Sequence, residues 1–305
     1  MLSIMIPSRG ELFFKRTIED VLEKATGEIE VFPICDGYQI PSEDIIQDER
    51  VIYIHLPKTY KHQKRHGINE GVRQSKGTHI MSLDAHCLMA RGFDEILTRD
   101  CEDNMVMIPR RNRLDAERWC IQKQSDMRPP IDYEYVMFPD PKLFKFHSFH
   151  GFRWDKRTKE RWSIPIDDTM TMQASCWVMT KDHFQRNGFM QTEGFTGWGQ
   201  EAESLCFKTW LRGGTVKTNK RTFYAHLHKG KHYGRMYHLD IRQTRASYQY
   251  SFDYFMNNRD PMRIRDFDWL IEKFWPLPGW PDNWKQRLEY KTKHTPIVQV
   301  EEISI

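Results

Sequence analysis

No stretch of this 305-residue chain approaches eighteen consecutive apolar residues, the length an apolar helix needs to cross a bilayer. The apolar start from Leu2 to Pro7 is too short for a signal-peptide core and has no basic lead-in. These two absences lead us to expect a soluble, cytoplasmic protein with no membrane span. Cys-x-x-Cys pairs are also missing. The six cysteines, Cys35, Cys87, Cys101, Cys120, Cys176 and Cys206, are scattered, which in a chain of this size argues for reduced core thiols rather than a disulfide framework. A large excess of either charge is missing too: the net charge is only +4, so whole-molecule electrostatics do not mark a nucleic-acid binder, although an anionic ligand such as a nucleotide diphosphate would be welcome. There is no internal repeat, low-complexity tract or clear linker.

What is present is an alternation of strand-like and helix-like segments. Leu2 to Ile6 is an apolar run closed by Pro7-Ser8-Arg9-Gly10, and apolar residues then recur at helical spacing from Leu12 to Leu22. Glu28 to Cys35 alternates and stops at the turn pair Asp36-Gly37, Val51 to Leu56 makes a third strand, and Lys64 to Ser75 carries Ile68 and Val72 four apart. His79 to Leu83 follows as a fourth strand and Asn104 to Pro109 as a fifth. Such alternation predicts right-handed βαβ units and a mostly parallel sheet flanked by helices. Ligands of open α/β sheets bind beyond the carboxyl ends of the strands; Pro7 to Arg9, Asp36 and Asp84 all follow strand ends.

After Arg110 the character changes. The region to about Asp168 is rich in Trp, Phe, Tyr, Pro, Lys and Arg without clean periodicity, and reads as an insertion, 110–170, over the sheet edge. Met172 to Thr180 returns to strand composition. Lys181 to Asn187 reads as a short helix, and Gly194 to Gly199 opens a longer one with Ala202, Leu205, Cys206, Thr209 and Trp210 facing inward. Thr215 to Thr218 and Thr222 to Ala225 read as two short strands. The tail, 231–305, is dense in aromatics and proline and reads as a helical or irregular extension packed on one domain, 1–230, whose first half is 1–110 and second half 171–230.

The chemistry gathers at His-Ile-Met-Ser-Leu-Asp-Ala-His, residues 79–86. An apolar strand runs there into Asp84 and His86, a carboxylate and an imidazole that can turn toward one cation. Mixed oxygen and nitrogen donors suit Mn²⁺ or another first-row divalent ion better than Ca²⁺. His226 and His228 follow a later strand and share one side of an extended backbone, so either can supply a third ligand.

These segments resemble the nucleotide-sugar half of a GT-A glycosyltransferase of the family 2 type: Ile4-Met5-Ile6-Pro7-Ser8-Arg9, Asp36 closing a second strand, Asn69 through Ile80, and Leu83-Asp84-Ala85-His86-Cys87. The Asp-x-His form is closest to that of polypeptide N-acetylgalactosaminyltransferases. Ala174 to Met179, and Gly194-Phe195 through Gly197-Trp198-Gly199-Gln200-Glu201, resemble the acceptor-side strand and the Gly-Glu-Asp region of the same fold. Together these cover roughly residues 2 to 230.

The resemblance implies a Rossmann-like nucleotide-sugar fold and a metal-dependent transfer from a UDP-sugar to an acceptor hydroxyl, as on a glycan, and the arginines, lysines and aromatics of the insertion and tail also admit a hydroxymethylated DNA base as acceptor. Asp84, His86 and His226 or His228 would hold Mn²⁺ or Mg²⁺. Asp36 would accept from the base or ribose, and Pro7, Ser8 and Arg9 would shape the nucleotide loop. Arg65, Asn69 and Trp177 join them as donor-binding residues, and Trp198 and Gly199 face the acceptor. Lys58, Lys61, Lys64 and Arg65 form a basic run suited to a diphosphate or to an anionic acceptor. Glu201 is the candidate base, although the family's Glu-Asp pair reads Glu201-Ala202 here; Glu203 is the substitute, about 200° away round the helix. Two other classes stay open: a metal-dependent hydrolase or phosphoesterase built from Asp84, His86, His226 and His228, and a non-catalytic nucleic-acid-binding module.

Overall fold

Leu2–Ser8 (β1) sends Leu2, Ile4 and Ile6 to one apolar cluster and Met5 to another, which is the signature of a strand covered on both faces. The computed structural model describes residues 1–59, 63–123, 129–140, 142, 147–235 and 237–288. Lys61 of the basic run and residues 289–305 of the expected extension lie outside them. After β1 come α1 (Phe14–Lys24), β2 (Ile29–Asp36), β3 (Ile54–Leu56), α2 (Lys64–Gln74), β4 (His79–Leu83), β5 (Cys87–Met89) and α3 (Phe93–Asp100). Then β6 (Met105–Asp115), β7 (Cys120–Ile121), β8 (Glu134–Val136), β9 (Gly151–Arg153), α4 (Asp155–Glu160), β10 (Ile166–Asp168), β11 (Cys176–Thr180) and α5 (Lys181–Arg186) follow. The chain closes through α6 (Glu201–Leu211), β12 (Thr215–His226), α7 (Gly230–Tyr233), α8 (Ile241–Met256), α9 (Phe267–Lys273) and α10 (Trp284–Leu288).

The main sheet has the order β10-β12-β6-β11-β4-β1-β2-β3. It is parallel through β4, β1, β2 and β3 and again between β6 and β12, with β11 antiparallel to both β4 and β6. The mostly parallel α/β sheet expected from the alternation is therefore present. Helix α2 lies close on β2 because Gly67 carries no side chain; a Cβ there would meet Ile34 Cγ2 at 2.6 Å. No helix of the described residues is long and apolar enough to cross a membrane, and the six cysteines are unpaired.

Four expectations need correction. The fifth strand continues past Pro109 to Asp115, because the basic residues that looked like a strand end are paired: Arg110 with Asp132 at 2.7 Å and Arg111 with Glu134 at 2.6 Å. For the same reason the insertion is not a plain loop. It contributes the β8–β9 pair, α4 and the edge strand β10, stapled by Tyr133 and Arg161 on Asp167. Thr215 to Ala225 is one strand, broken in pattern by a register shift between Asn219 and Phe223. In addition, α6 is buried on every side rather than along a stripe, since α8 and α9 cover the face that the sheet leaves open.

As far as residue 288, the tail is part of the same core. Trp280 and Trp284 belong to the cluster that holds Phe207 and Trp210 of α6, and Trp280 Nε1 donates to Val136 O at 2.8 Å. Truncating Trp280 to alanine removes a packed indole and strands a buried carbonyl; urea denaturation of Trp280→Ala is expected to show a loss of about 3–5 kcal/mol, and an unchanged midpoint would mean that the tail adds nothing to the fold.

Candidate functional site

The strand ends expected at one edge do meet there. Parallel register sets Ser8 opposite Cys35, one residue before Asp36, and Met5 opposite Ser82, two before Asp84. Antiparallel β11 starts at this edge, with Cys176 opposite Leu83, and Asp84 N donates to Ser175 O at 2.8 Å. Strand β12 runs parallel to β6 and ends here as well, where its pairing with β5 sets His226 opposite Cys87. Leu227 N then donates to His86 O at 3.1 Å. Two histidines far apart in sequence, His86 and His226, thus come to a ring separation of 4.8 Å.

A cavity of about 630 Å³ opens over this edge. Its wall includes Pro7, Ser8, Arg9, Asp36, Asp84, His86, Trp198, His226 and His228. Asp84, His86 and His226 offer one ligand atom each within 4.8 Å of one another. His228 is outside that group; its ring stands edge-on to His226 at 5.4 Å.

The electrostatics keep these donors in ligating form. Burial works to raise the Asp84 carboxyl, but the Lys64 ammonium and the two histidines outweigh it, so the group lies well below the usual carboxylate range. Lys64 Nζ donates to Asp84 Oδ1 at 2.7 Å; burial opposes its charge, and Asp84 and Glu201 together raise it above the ordinary lysine value. Burial lowers both His86 and His226, leaving neutral rings with available lone pairs. His86 Nδ1 and both ring nitrogens of His226 are buried without a hydrogen-bond partner, although His86 Nδ1 lies 3.6 Å from Glu11 Oε2 and His226 Nε2 lies 3.5 Å from Asp84 Oδ2. Orphaned buried nitrogens carry a desolvation cost that a ligand can relieve. An ionised carboxylate oxygen and two such imidazoles therefore fit a first-row divalent ion.

On the other side, Asp36 is held by Arg9 at 3.3 Å and by Gln63, whose backbone N–H and Nε2 donate at 3.1 and 2.9 Å. Ser8 Oγ accepts from Tyr38 OH at 2.9 Å and from Glu11 N at 3.1 Å, which closes the Pro7–Arg9 turn. Arg9, Lys64, Lys229 and Arg235 face the cavity against Glu11, Asp36 and Asp84, so its charge leans positive before any metal enters and suits an anion.

Five expected residues are not on this wall. Arg65 is buried, donating to Ser204 Oγ at 2.9 Å and to the carbonyls of Gln191 and Gly199. Asn69 exchanges hydrogen bonds with the backbone of Met190, 2.9 and 2.8 Å. Trp177 is a core residue stacked on Phe184. These three tie α2 and β11 to the segments behind the sheet. Gly199 turns at φ +97°, and a Cβ there would meet the Tyr248 ring at 2.7 Å. Glu201 is a buried first-turn residue whose charge bears on Lys64 and Arg65.

Comparison with known proteins agrees with this geometry. Residues 3–186 match the model of glycosyl transferase family 2. The chain belongs to that family. Human polypeptide N-acetylgalactosaminyltransferase 13 is 24% identical over 218 residues, 66% of this chain and 36% of the relative. Human polypeptide N-acetylgalactosaminyltransferase 12 is 23% identical over 236 residues, 68% of this chain and 38% of the relative. The chain thus spans little more than a third of the length of these curated relatives. A crystal structure of GalNAc-T7 with UDP, GalNAc and Mn²⁺ superposes with a TM-score of 0.65 at 14% identity, covering 90% of this chain and 57% of that one, and shows the shared GT-A fold.

Within this family 2 domain, the cavity also recruits Glu11, Gln63, Gln173, Lys229, Arg235 and Tyr237, which sequence reasoning did not single out. Arg235 lies over Trp198 at 5.0 Å. The available signal was the pair of glycines, Gly230 and Gly234, bracketing a stretch of cations and aromatics just after His228.

Glu203 is a separate matter. Burial, reinforced by Glu201 and Glu134, pushes its carboxyl up to about 8. A carboxyl raised in the folded state leaves stability intact below its unfolded value and erodes it as pH rises toward the folded one. Thermal melts should therefore show Glu203→Gln matching the parent near pH 4.5 and exceeding it at pH 8 by on the order of 3 kcal/mol; an equal difference at both pH values would contradict a protonated Glu203.

Proposed function

We propose that this family 2 domain catalyses transfer of a sugar from a nucleotide donor, UDP-linked, to an acceptor hydroxyl, with a divalent ion held by Asp84, His86 and His226. The observation that carries the reading is the convergence of one ionised carboxylate and two buried, hydrogen-bond-orphaned imidazoles on the wall of a cavity whose opposite side is Arg9 and Asp36. Mn²⁺ or Mg²⁺ bound there would supply Lewis acidity to a diphosphate leaving group. The names of the curated relatives and the UDP and Mn²⁺ that accompany GalNAc-T7 in its crystal structure support the same direction.

The residues of the chain divide the remaining work. Arg9 and Gln63 orient the Asp36 carboxylate, which accepts from the base or ribose, and the Pro7–Arg9 turn forms the floor under the nucleotide. Lys229 and Arg235 offset phosphate charge. Trp198, roofed by Arg235, is the wall nearest the acceptor side. His228 supports His226 by an edge contact and does not ligate. Glu201 acts through Lys64 rather than as a base at the acceptor, since it does not line the cavity.

A ligand that binds only the folded protein stabilises it, by about 2.7 kcal/mol at a hundred times its dissociation constant. Mn²⁺ with UDP is therefore expected to raise the melting temperature of the wild type. Asp84→Ala and His226→Ala should lose that shift and fall at least roughly a hundredfold in UDP release from the nucleotide sugar, on the scale of removing charge stabilisation from a leaving group, while His228→Ala keeps the shift. Metal-independent turnover by Asp84→Ala would sink the proposal; turnover of simple phosphate esters, with none of nucleotide sugars, would favour the hydrolase reading.

A further inference from the structure

The two oxygens of Asp84 have different neighbours. Lys64 Nζ donates to Oδ1 at 2.7 Å and reaches the Ala174 carbonyl at 3.3 Å, while Oδ2 is the atom 3.5 Å from His226 Nε2. Lys64 comes from the first turn of α2, and only 15% of its side chain is exposed. A lysine on a solvated helix face would keep its ammonium in water; this one is folded inward, onto a single carboxylate oxygen. The main chain of Asp84 is pinned independently by its hydrogen bond to Ser175 O, so Lys64 is not required to hold the turn itself.

We propose that Lys64 is a positioning residue for the metal: it occupies Oδ1, leaves Oδ2 as the one carboxylate ligand, and by its charge sets how tightly and which divalent cation is held. The inference rests on the reading of Asp84, His86 and His226 as metal ligands. Two consequences follow from elementary coordination chemistry. Ca²⁺ takes six to eight oxygens and commonly a bidentate carboxylate, so removing one oxygen from a site that already offers two imidazoles tilts it toward Mn²⁺ and its first-row neighbours. In addition, an ammonium across the same carboxylate repels a dication and weakens binding.

Clamping and repulsion oppose each other, and magnitudes decide between them. Fixing one side chain in its binding rotamer is worth roughly threefold to tenfold in affinity. The repulsion between a single and a double positive charge a few ångströms apart exceeds roughly a hundredfold even at an effective dielectric constant of about 20. Repulsion wins, so removal of the ammonium is expected to tighten the metal and, by freeing Oδ1, to let Ca²⁺ compete.

The test is titration of the purified full chain with Mn²⁺ and with Ca²⁺, followed by calorimetry and by the electron paramagnetic resonance of free Mn²⁺, for wild type, Lys64→Met, Lys64→Arg and Asp84→Ala. Lys64→Met is expected to lower the Mn²⁺ dissociation constant by at least roughly fivefold and to narrow the preference for Mn²⁺ over Ca²⁺, with Lys64→Arg behaving as wild type. A smaller change, a weaker affinity, or an unaltered preference overturns the proposal. If wild type binds Mn²⁺ and Asp84→Ala does not, such a result refutes the role of Lys64 alone; if wild type binds no Mn²⁺, the metal reading and this inference fall together.

Discussion

A three-rung ladder holds the cavity together. Tyr224, Ala225 and His226 of β12 pair with Met89, Leu88 and Cys87 of β5, and the next rung, from Leu227 N to His86 O, fixes the backbone of the second histidine. Strand side chains alternate, so a slip of one residue would turn the His226 ring away from His86 and bring a neighbour in its place. The parallel strands deliver Ser8, Asp36 and Asp84 to one edge through ordinary βαβ winding, and the parallel pairing of β12 with β6 carries His226 to the same edge. The short antiparallel pairing with β5 then sets His226 against the segment that holds His86, and it is buried: Cys87, Met89, Tyr224 and Ala225 are each no more than 1% exposed.

Gathering charge at such an edge has consequences that run through the surrounding structure. Asp84 and Lys64 offset one another, Glu201 lends Lys64 a second carboxylate, and burial lowers Arg65 against the opposing pull of Glu201 and Glu203. Burial lowers the histidines and raises Glu203 by the same physical cause acting on groups of opposite charge type. The result is a site with an ionised carboxylate and neutral imidazoles side by side, which bulk water would not maintain over as wide a pH range. Arg9 and Gln63 perform the parallel task at Asp36, where three donated hydrogen bonds orient the carboxylate at the far side of the cavity.

Much of the first 110 residues was legible because its signals are local. An apolar run, a turn pair and a helical stripe need no knowledge of the rest of the chain, so β1, β2, α2 and β4 were read close to their observed bounds, as was the position of Asp84 and His86 at a strand end. The choice between His226 and His228 was not legible. Alternation places both on one side of a strand, and the difference lies in where the ladder with β5 stops, which is a long-range fact. Arg65 and Asn69 misled for a related reason: polar side chains on a helix beside the strand ends look like ligand contacts, whereas here they reach segments more than 120 residues away. The insertion looked irregular since its order comes from ion pairs such as Arg110–Asp132 and Arg161–Asp167, and such pairs leave no periodic trace in a sequence.

The central claim is that one divalent ion sits between Asp84, His86 and His226 with the nucleotide diphosphate reaching it from the Arg9–Asp36 side. Anomalous diffraction at the manganese edge, from crystals grown with Mn²⁺ and UDP, tests it most directly. The expected map has its strongest peak within bonding distance of Asp84 Oδ2 and of a ring nitrogen of each of His86 and His226, with the diphosphate against the peak. Bound UDP with no anomalous peak at those three side chains, or a peak held by His228 in place of His226, would contradict it.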